Sequence, residues 1–190
     1  MRDEPQSNAH EENRVLVARF DLECLAYMMF HPCACGSDAA VDVRIAVRDF
    51  KSFAIYDGPC ISCGRRRFFE FAIDTNDDAP SSILDAGQWL LTAERYARVV
   101  PADTDVLDAE QKETASIYLA YATTALEESL KFIANDEDRV PEAALFSAEG
   151  RALYGQEPGR FRRVRIAAVL DTYREASARL SGDWERPDRS

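Results

Sequence analysis

The hydrophobic pattern changes period along the chain. From Arg14 to Phe30, the residues Val15, Ala18, Leu22, Leu25, Ala26 and Met29 recur at helical spacing and predict a helix. Val15–Phe20 also reads as the start of a strand. His31-Pro32 ends this segment, because the residue before a proline is disfavoured in a helix. Period two then takes over. Val41, Val43, Ile45 and Val47 alternate with Asp42, Arg44, Ala46 and Arg48, as in a half-buried strand. Ser52–Tyr56 supplies a hairpin partner, and Asp57-Gly58-Pro59 is turn chemistry. Arg67–Ile73 alternates again, with Phe69, Phe71 and Ile73 on one face.

The polar run Asp74–Pro80 is a boundary, and beyond it the period is helical. Ser82-x-x-Asp85 predicts a capped helix running to about Val100 and stopped by Pro101. A longer helix is expected from about Asp108 to Ala134, with Ala115, Leu119, Ala122, Leu126 and Ile133 in one stripe. A short helix over Ser147–Tyr154 ends at Gly155. A last helix follows Pro158-Gly159 to about Leu180, with Phe161, Ile166, Leu170, Tyr173 and Leu180 inward. Strands grouped ahead of helices predict an α+β fold. The expected architecture is a small three-stranded sheet with an N-terminal helix, packed on a C-terminal bundle of about four helices. The expected division is a tail over 1–13, a helix-plus-sheet module over 14–78, a helical domain over 79–180 and a tail over 181–190.

Three short strands bury little surface, so this module needs another source of stability. The cysteines supply one. Four of the five fall in it as close pairs, Cys33-x-Cys35-Gly36 and Cys60-x-x-Cys63-Gly64. Thiolate pairs brought together by a hairpin suit a tetrahedral zinc ion, and iron suits the same donors. The glycine after the second cysteine of a pair lets the backbone turn so that amides point at the sulfurs. Residues 31–73 resemble the zinc-ribbon family, whose usual half-site is Cys-x-x-Cys-Gly. The resemblance implies a structural zinc held by Cys33, Cys35, Cys60 and Cys63. The first half-site departs from the family by one missing residue, and His31 stands two residues away as a substitute ligand. Cys24 lies in the apolar run of the first helix and reads as a buried, inert thiol.

Composition narrows the functional classes. The 34 acidic residues outnumber the 23 basic ones, for a net charge of −11, which repels nucleic acid at long range and suits a basic partner. Arg65-Arg66-Arg67 before Phe68-Phe69 is the exception, a cationic and aromatic spot of the kind that binds nucleic acid. Arg160, Arg162, Arg163 and Arg165 open the last helix, where cations oppose the macrodipole, so acidic partners such as the Glu127-Glu128 region are expected nearby. No apolar run of 18 residues occurs, so no membrane span is expected. The polar, acidic N-terminus lacks a signal-peptide pattern, which predicts a cytoplasmic protein with reduced thiols. No nucleophile elbow, P-loop or dinucleotide glycine motif occurs, and the expectation is a non-enzymatic protein. In general character the chain is similar to the small acidic immunity proteins that neutralise bacterial toxins, which implies a basic protein partner. The alternatives are a zinc-ribbon regulator binding nucleic acid through Arg65, Arg66 and Arg67, or an enzyme with its site in the helical half.

Overall fold

The computed structural model describes residues 16–75, 78–104 and 106–181. The expected tail over 1–13 and nearly all of that over 181–190 lie outside these residues. The sheet contains β1 (Leu16–Ala18), β2 (Val43–Arg48), β3 (Lys51–Pro59) and β4 (Arg66–Ile73) in the order β1-β4-β3-β2. The helices are α1 (Asp21–Phe30), α2 (Ala86–Arg98), α3 (Ala109–Leu130), α4 (Ala148–Gln156) and α5 (Arg163–Ser181). The fold is α+β, as the grouping of periods implies, with one strand more than expected. That strand replaces the start of the expected N-terminal helix. Leu16, Val17 and Ala18 lie parallel to Phe71, Ala72 and Ile73 and close the edge of β4. Pairing there satisfies the backbone groups of both segments, and the helix begins only at Asp21.

The first helix is buried on two sides, which explains its density of apolar residues. Leu22 and Ala26 join the large core with Trp89, Leu126, Phe161 and Ile166. Cys24 and Met28 join a smaller core with Ala54, Tyr56 and Phe71 of the sheet. Below it, Arg19 is buried and holds Glu23 at 3.1 Å and Glu128 of α3 at 2.5 Å. Lys131 pairs with the same Glu128 at 2.7 Å, so two cations balance two carboxylates. This cluster ties the end of β1 to the helical bundle.

Capping sets the helix starts. The cap of α2 is Asp85, three residues beyond the expected Ser82, and it forms a reciprocal box with Gln88. The Ser81 hydroxyl accepts from the Ile83 and Leu84 amides and so turns the chain into that cap. Asp108 and Gln111 repeat the box on α3. Asp85 also accepts from the Ser147 amide at 2.7 Å, which positions the start of α4. Two of the four arginines near α5, Arg160 and Arg163, find internal partners, though not those expected, while Arg162 and Arg165 are exposed. Arg160 pairs with Glu94 and Glu157, while Glu127 pairs with Arg174. Arg163 donates to the carbonyls of Ile133, Ala134 and Glu137, where α3 ends and a cation is favoured.

Where α2 meets α4, Gly87 faces Gly150, and a Cβ added at Gly150 would fall within 3.0 Å of the Asp85 carboxylate. Gly150→Ala is therefore expected to destabilise the fold by about 2–3 kcal/mol, through overpacking against a cap that serves two helices. Urea unfolding of the variant against the wild type measures this.

Candidate metal centre

Two turns present the cysteines. In the second half-site the Gly64 amide donates to the Cys60 carbonyl at 2.8 Å, and the Cys60 amide donates to Arg65. In the first, the Gly36 amide donates to the Cys33 carbonyl at 2.7 Å, and the Cys33 amide donates to Ser37. The two turns share a plan, with one residue fewer in the first. Gly36 and Gly64 both take positive φ, 88° and 72°, a conformation that glycine adopts without strain. The missing residue tightens the first turn by one position and leaves its sulfurs available to the same centre.

The four sulfurs of Cys33, Cys35, Cys60 and Cys63 lie within 4.8 Å of one another. Cys33 Sγ stands 3.6 Å from Cys63 Sγ, and Cys35 Sγ stands 3.6 Å from Cys60 Sγ. Tetrahedral bonds of about 2.3 Å from zinc to sulfur place the sulfurs about 3.8 Å apart, so the spacing fits. Each close pair joins one cysteine from each turn, so an ion at the centre would lock the two turns together. Amides of Ser62 and Cys63 hydrogen-bond Cys60 and, with the neighbouring Cys35 and Ser37, hold its thiol down to about 6. The Arg65 amide acts in the same direction on Cys63, but the crowd of sulfurs around it and burial push that thiol up to about 11. A cation among the four sulfurs reverses that repulsion, because it favours the charged form of every ligand.

His31 does not belong to this group. Its Nδ1 lies 2.8 Å from the Tyr27 carbonyl, and its ring stacks on Tyr27 at 3.9 Å. Cys24 is fully buried beside Tyr56, and burial pushes its thiol up to about 12, in keeping with an inert role.

The three arginines after the second half-site divide. Arg65 is exposed. Arg66 is exposed and clamps Asp57 through two hydrogen bonds of 2.7 Å. Arg67 is buried and turns inward, donating to the carbonyls of Ala39, Met28 and His31. It joins the end of α1 to the segment leading into β2, so only Arg65 and Arg66 of the expected trio face outward. That role follows from the alternation of β4, which places Arg67 on the face of Phe69 and Phe71 beneath α1. In the helical half, a cavity of about 390 Å³ is lined by Leu90, Glu94, Glu157, Arg160, Arg165 and Tyr173. Arg160 neutralises both carboxylates there.

Fold and site together define an α+β protein with a four-cysteine centre that could hold a metal ion, compatible with a zinc-ribbon-like segment. Comparison with known proteins gives no match: no family model, no curated protein and no solved structure aligns significantly with the chain. No helix among the described residues is long and apolar enough to cross a membrane.

Thiol reactivity tests the centre. In metal-free protein the exposed Cys35 and Cys63 are expected to alkylate with iodoacetamide before the buried Cys33 and Cys60. Cys24 is expected to stay unmodified until the chain unfolds. A bound ion should protect all four site cysteines, which peptide mass spectrometry reads directly.

Proposed function

We propose that this chain is a non-catalytic protein-binding module built around one structural zinc ion held by Cys33, Cys35, Cys60 and Cys63. The observation that carries the reading is the closed donor set. Four thiols converge from two turns, and a catalytic zinc keeps a position open for water or substrate. Cysteine sulfur is a soft donor, which favours zinc over magnesium or calcium.

The distribution of charge supports a basic protein partner. Residues 16–75 carry eight acidic and seven basic side chains, whereas residues 76–190 carry 22 acidic and 14 basic. The acidity of the chain therefore lies mainly in and around the helical bundle. A field of that sign draws a cationic protein toward the helices and speeds its docking. An immunity-type inhibitor of a basic toxin domain has this character, and that is the specific form the proposal takes. The second reading, nucleic-acid binding, draws on a single spot. Phe68 is half exposed, the Arg66 guanidinium stands 5.8 Å from its ring centre, and Arg65 is free to reach outward beside them.

Partner capture at low and high salt separates the readings, with zinc measured on the same sample. One zinc per chain and a basic protein released by salt are the expected results. Retention of nucleic acid, lost in an Arg65→Ala/Arg66→Ala variant that keeps its zinc, would replace the first reading with the second. Cys60→Ser is expected to lose zinc and, with it, the cooperative unfolding of the sheet.

A further inference from the structure

The sheet is covered by α1 over β1, β4 and β3, and the cover stops there. Val43, Ile45 and Val47 continue the same apolar face on β2, yet they are 53%, 69% and 71% exposed. Single exposed aliphatic residues are ordinary, but a row of three continuous with a core is not. β2 is also an edge strand, and among the described residues no strand lies beyond it. Its hydrogen-bond phase is known. The Asp57 amide donates to the Asp42 carbonyl, so the register pairs even-numbered residues of β2 with β3 through hydrogen bonds. Val43, Ile45 and Val47 therefore direct their backbone N–H and C=O groups outward at the free edge.

The hairpin tip adds a second observation. Asp49 and Phe50 form the two-residue turn between β2 and β3, both with positive φ, 49° and 62°. Such turns strongly prefer glycine or asparagine, and a left-handed phenylalanine is strained by about 1–2 kcal/mol. Phe50 is also fully exposed, at 105%. A strained aromatic side chain held out in water is a feature that a contact would explain.

We propose that the free edge of β2 pairs with β2 of a second copy of this chain, antiparallel and centred on Ile45, to make a two-fold dimer with one continuous eight-stranded sheet. Charge selects this register over its neighbours. Centring on Ile45 sets Val43 against Val47, Arg44 against Ala46 and Asp42 against Arg48 of the other copy. A shift that centres on Arg44 sets that arginine against its own symmetry mate. A shift that centres on Ala46 sets Arg44 against Arg48. Of these three registers only the one centred on Ile45 avoids like charges directly opposite, and it sets Asp42 twice over beside an Arg48 that already meets Glu70 of its own copy, at 2.9 Å. It also joins the outward backbone groups of Val43, Ile45 and Val47 in hydrogen-bonded pairs and gives each aliphatic side chain an apolar neighbour. Each Phe50 tip then lies alongside residues 40 and 41 of the other copy, Ala40 and Val41. The pairing is independent of the partner of the helical half, since it uses neither the acidic surface nor the cysteine centre.

Sedimentation velocity on the zinc-loaded protein over a range of concentrations tests the proposal. The wild type is expected to pass from monomer to dimer, on the order of micromolar for so short an edge. Ile45→Pro removes only an outward N–H and is tolerated on an edge strand, so it should leave the zinc content and circular dichroism unchanged and abolish the dimer. In a Glu70→Gln background, which removes the carboxylate that Arg48 meets within its own chain, Asp42→Arg and Arg48→Asp should each weaken dimerisation by about tenfold, and the double exchange should restore it. A wild type that stays monomeric at every concentration overturns the proposal, as does a dimer that survives Ile45→Pro. Failure of the double exchange to restore what each single exchange loses overturns the register even if Ile45→Pro fails to fold.

Discussion

Four thiolates within 4.8 Å of one another cannot remain charged together without a cation between them, and much of the sheet depends on how that conflict is resolved. The sulfurs sit at the end of the sheet where β3 runs out and β4 begins. They tie that end to residues 33–36, which follow directly from α1. The same helix packs on the sheet with one side and on the helical bundle with the other. A constraint at the cysteines is thus passed through a single ten-residue helix to the large core. With protonated thiols, those contacts reduce to weak S–H···S interactions. An ion turns them into four strong bonds, which suits a sheet too small to bury much surface of its own.

Two buried cations reinforce this arrangement from opposite ends of α1. Arg67 lies at its C-terminal end, where it collects the Met28 and His31 carbonyls together with that of Ala39. Arg19 lies at its N-terminal end, where it faces Glu23 and Glu128 and donates to the Ala79 carbonyl. A cation at a helix C-terminus and a carboxylate in the first turn both match the helix dipole. Neither arginine is simply solvated. Each is held by three polar partners, and removal of either would leave buried acceptors without donors. The position of α1 between sheet and bundle is therefore specified by directional contacts as well as by apolar burial.

The parts of the fold that were legible in the sequence were those governed by local periodicity. The alternation within residues 41–47 and 67–73 matched strands, although the first begins at Val43 and its aliphatic face is exposed instead of half-buried, and the stripe from Ala115 to Leu126 matched α3. The cysteine pairs were legible because the ligand residue types and spacing are themselves the chemistry. What could not be read was set by partners distant in sequence. At Leu16–Ala18 the sequence offered both a helix and the start of a strand, and Phe71–Ile73, some 55 residues later, decided for the strand by offering an edge. Arg67 looked like part of a basic run, and its inward turn depends on carbonyls at Met28, His31 and Ala39 that no local pattern announces. The cap of α2 moved from Ser82 to Asp85 because Asp85 also serves the Ser147 amide across the core. In each case a long-range hydrogen bond outweighed a plausible local choice.

The asymmetry between the two halves of the chain bears on how its surfaces can be used. The sheet region is close to neutral, and it bears the exposed aliphatic row, the strained hairpin tip and the metal centre. The helical half is acidic, and many of its arginines are occupied by internal partners such as Glu94, Glu127 and Glu157. Acidic surfaces of two copies repel one another, whereas an almost neutral edge allows close approach. Self-pairing through β2 would therefore keep the acidic helices of both copies away from the junction and available to a cationic partner. Two copies of that surface on one rigid sheet would raise its effective concentration toward any partner able to contact both. A metal ion held by the four cysteines would then have a second consequence: by fixing the ends of β3 and β4, it would support the sheet on which the free edge is displayed.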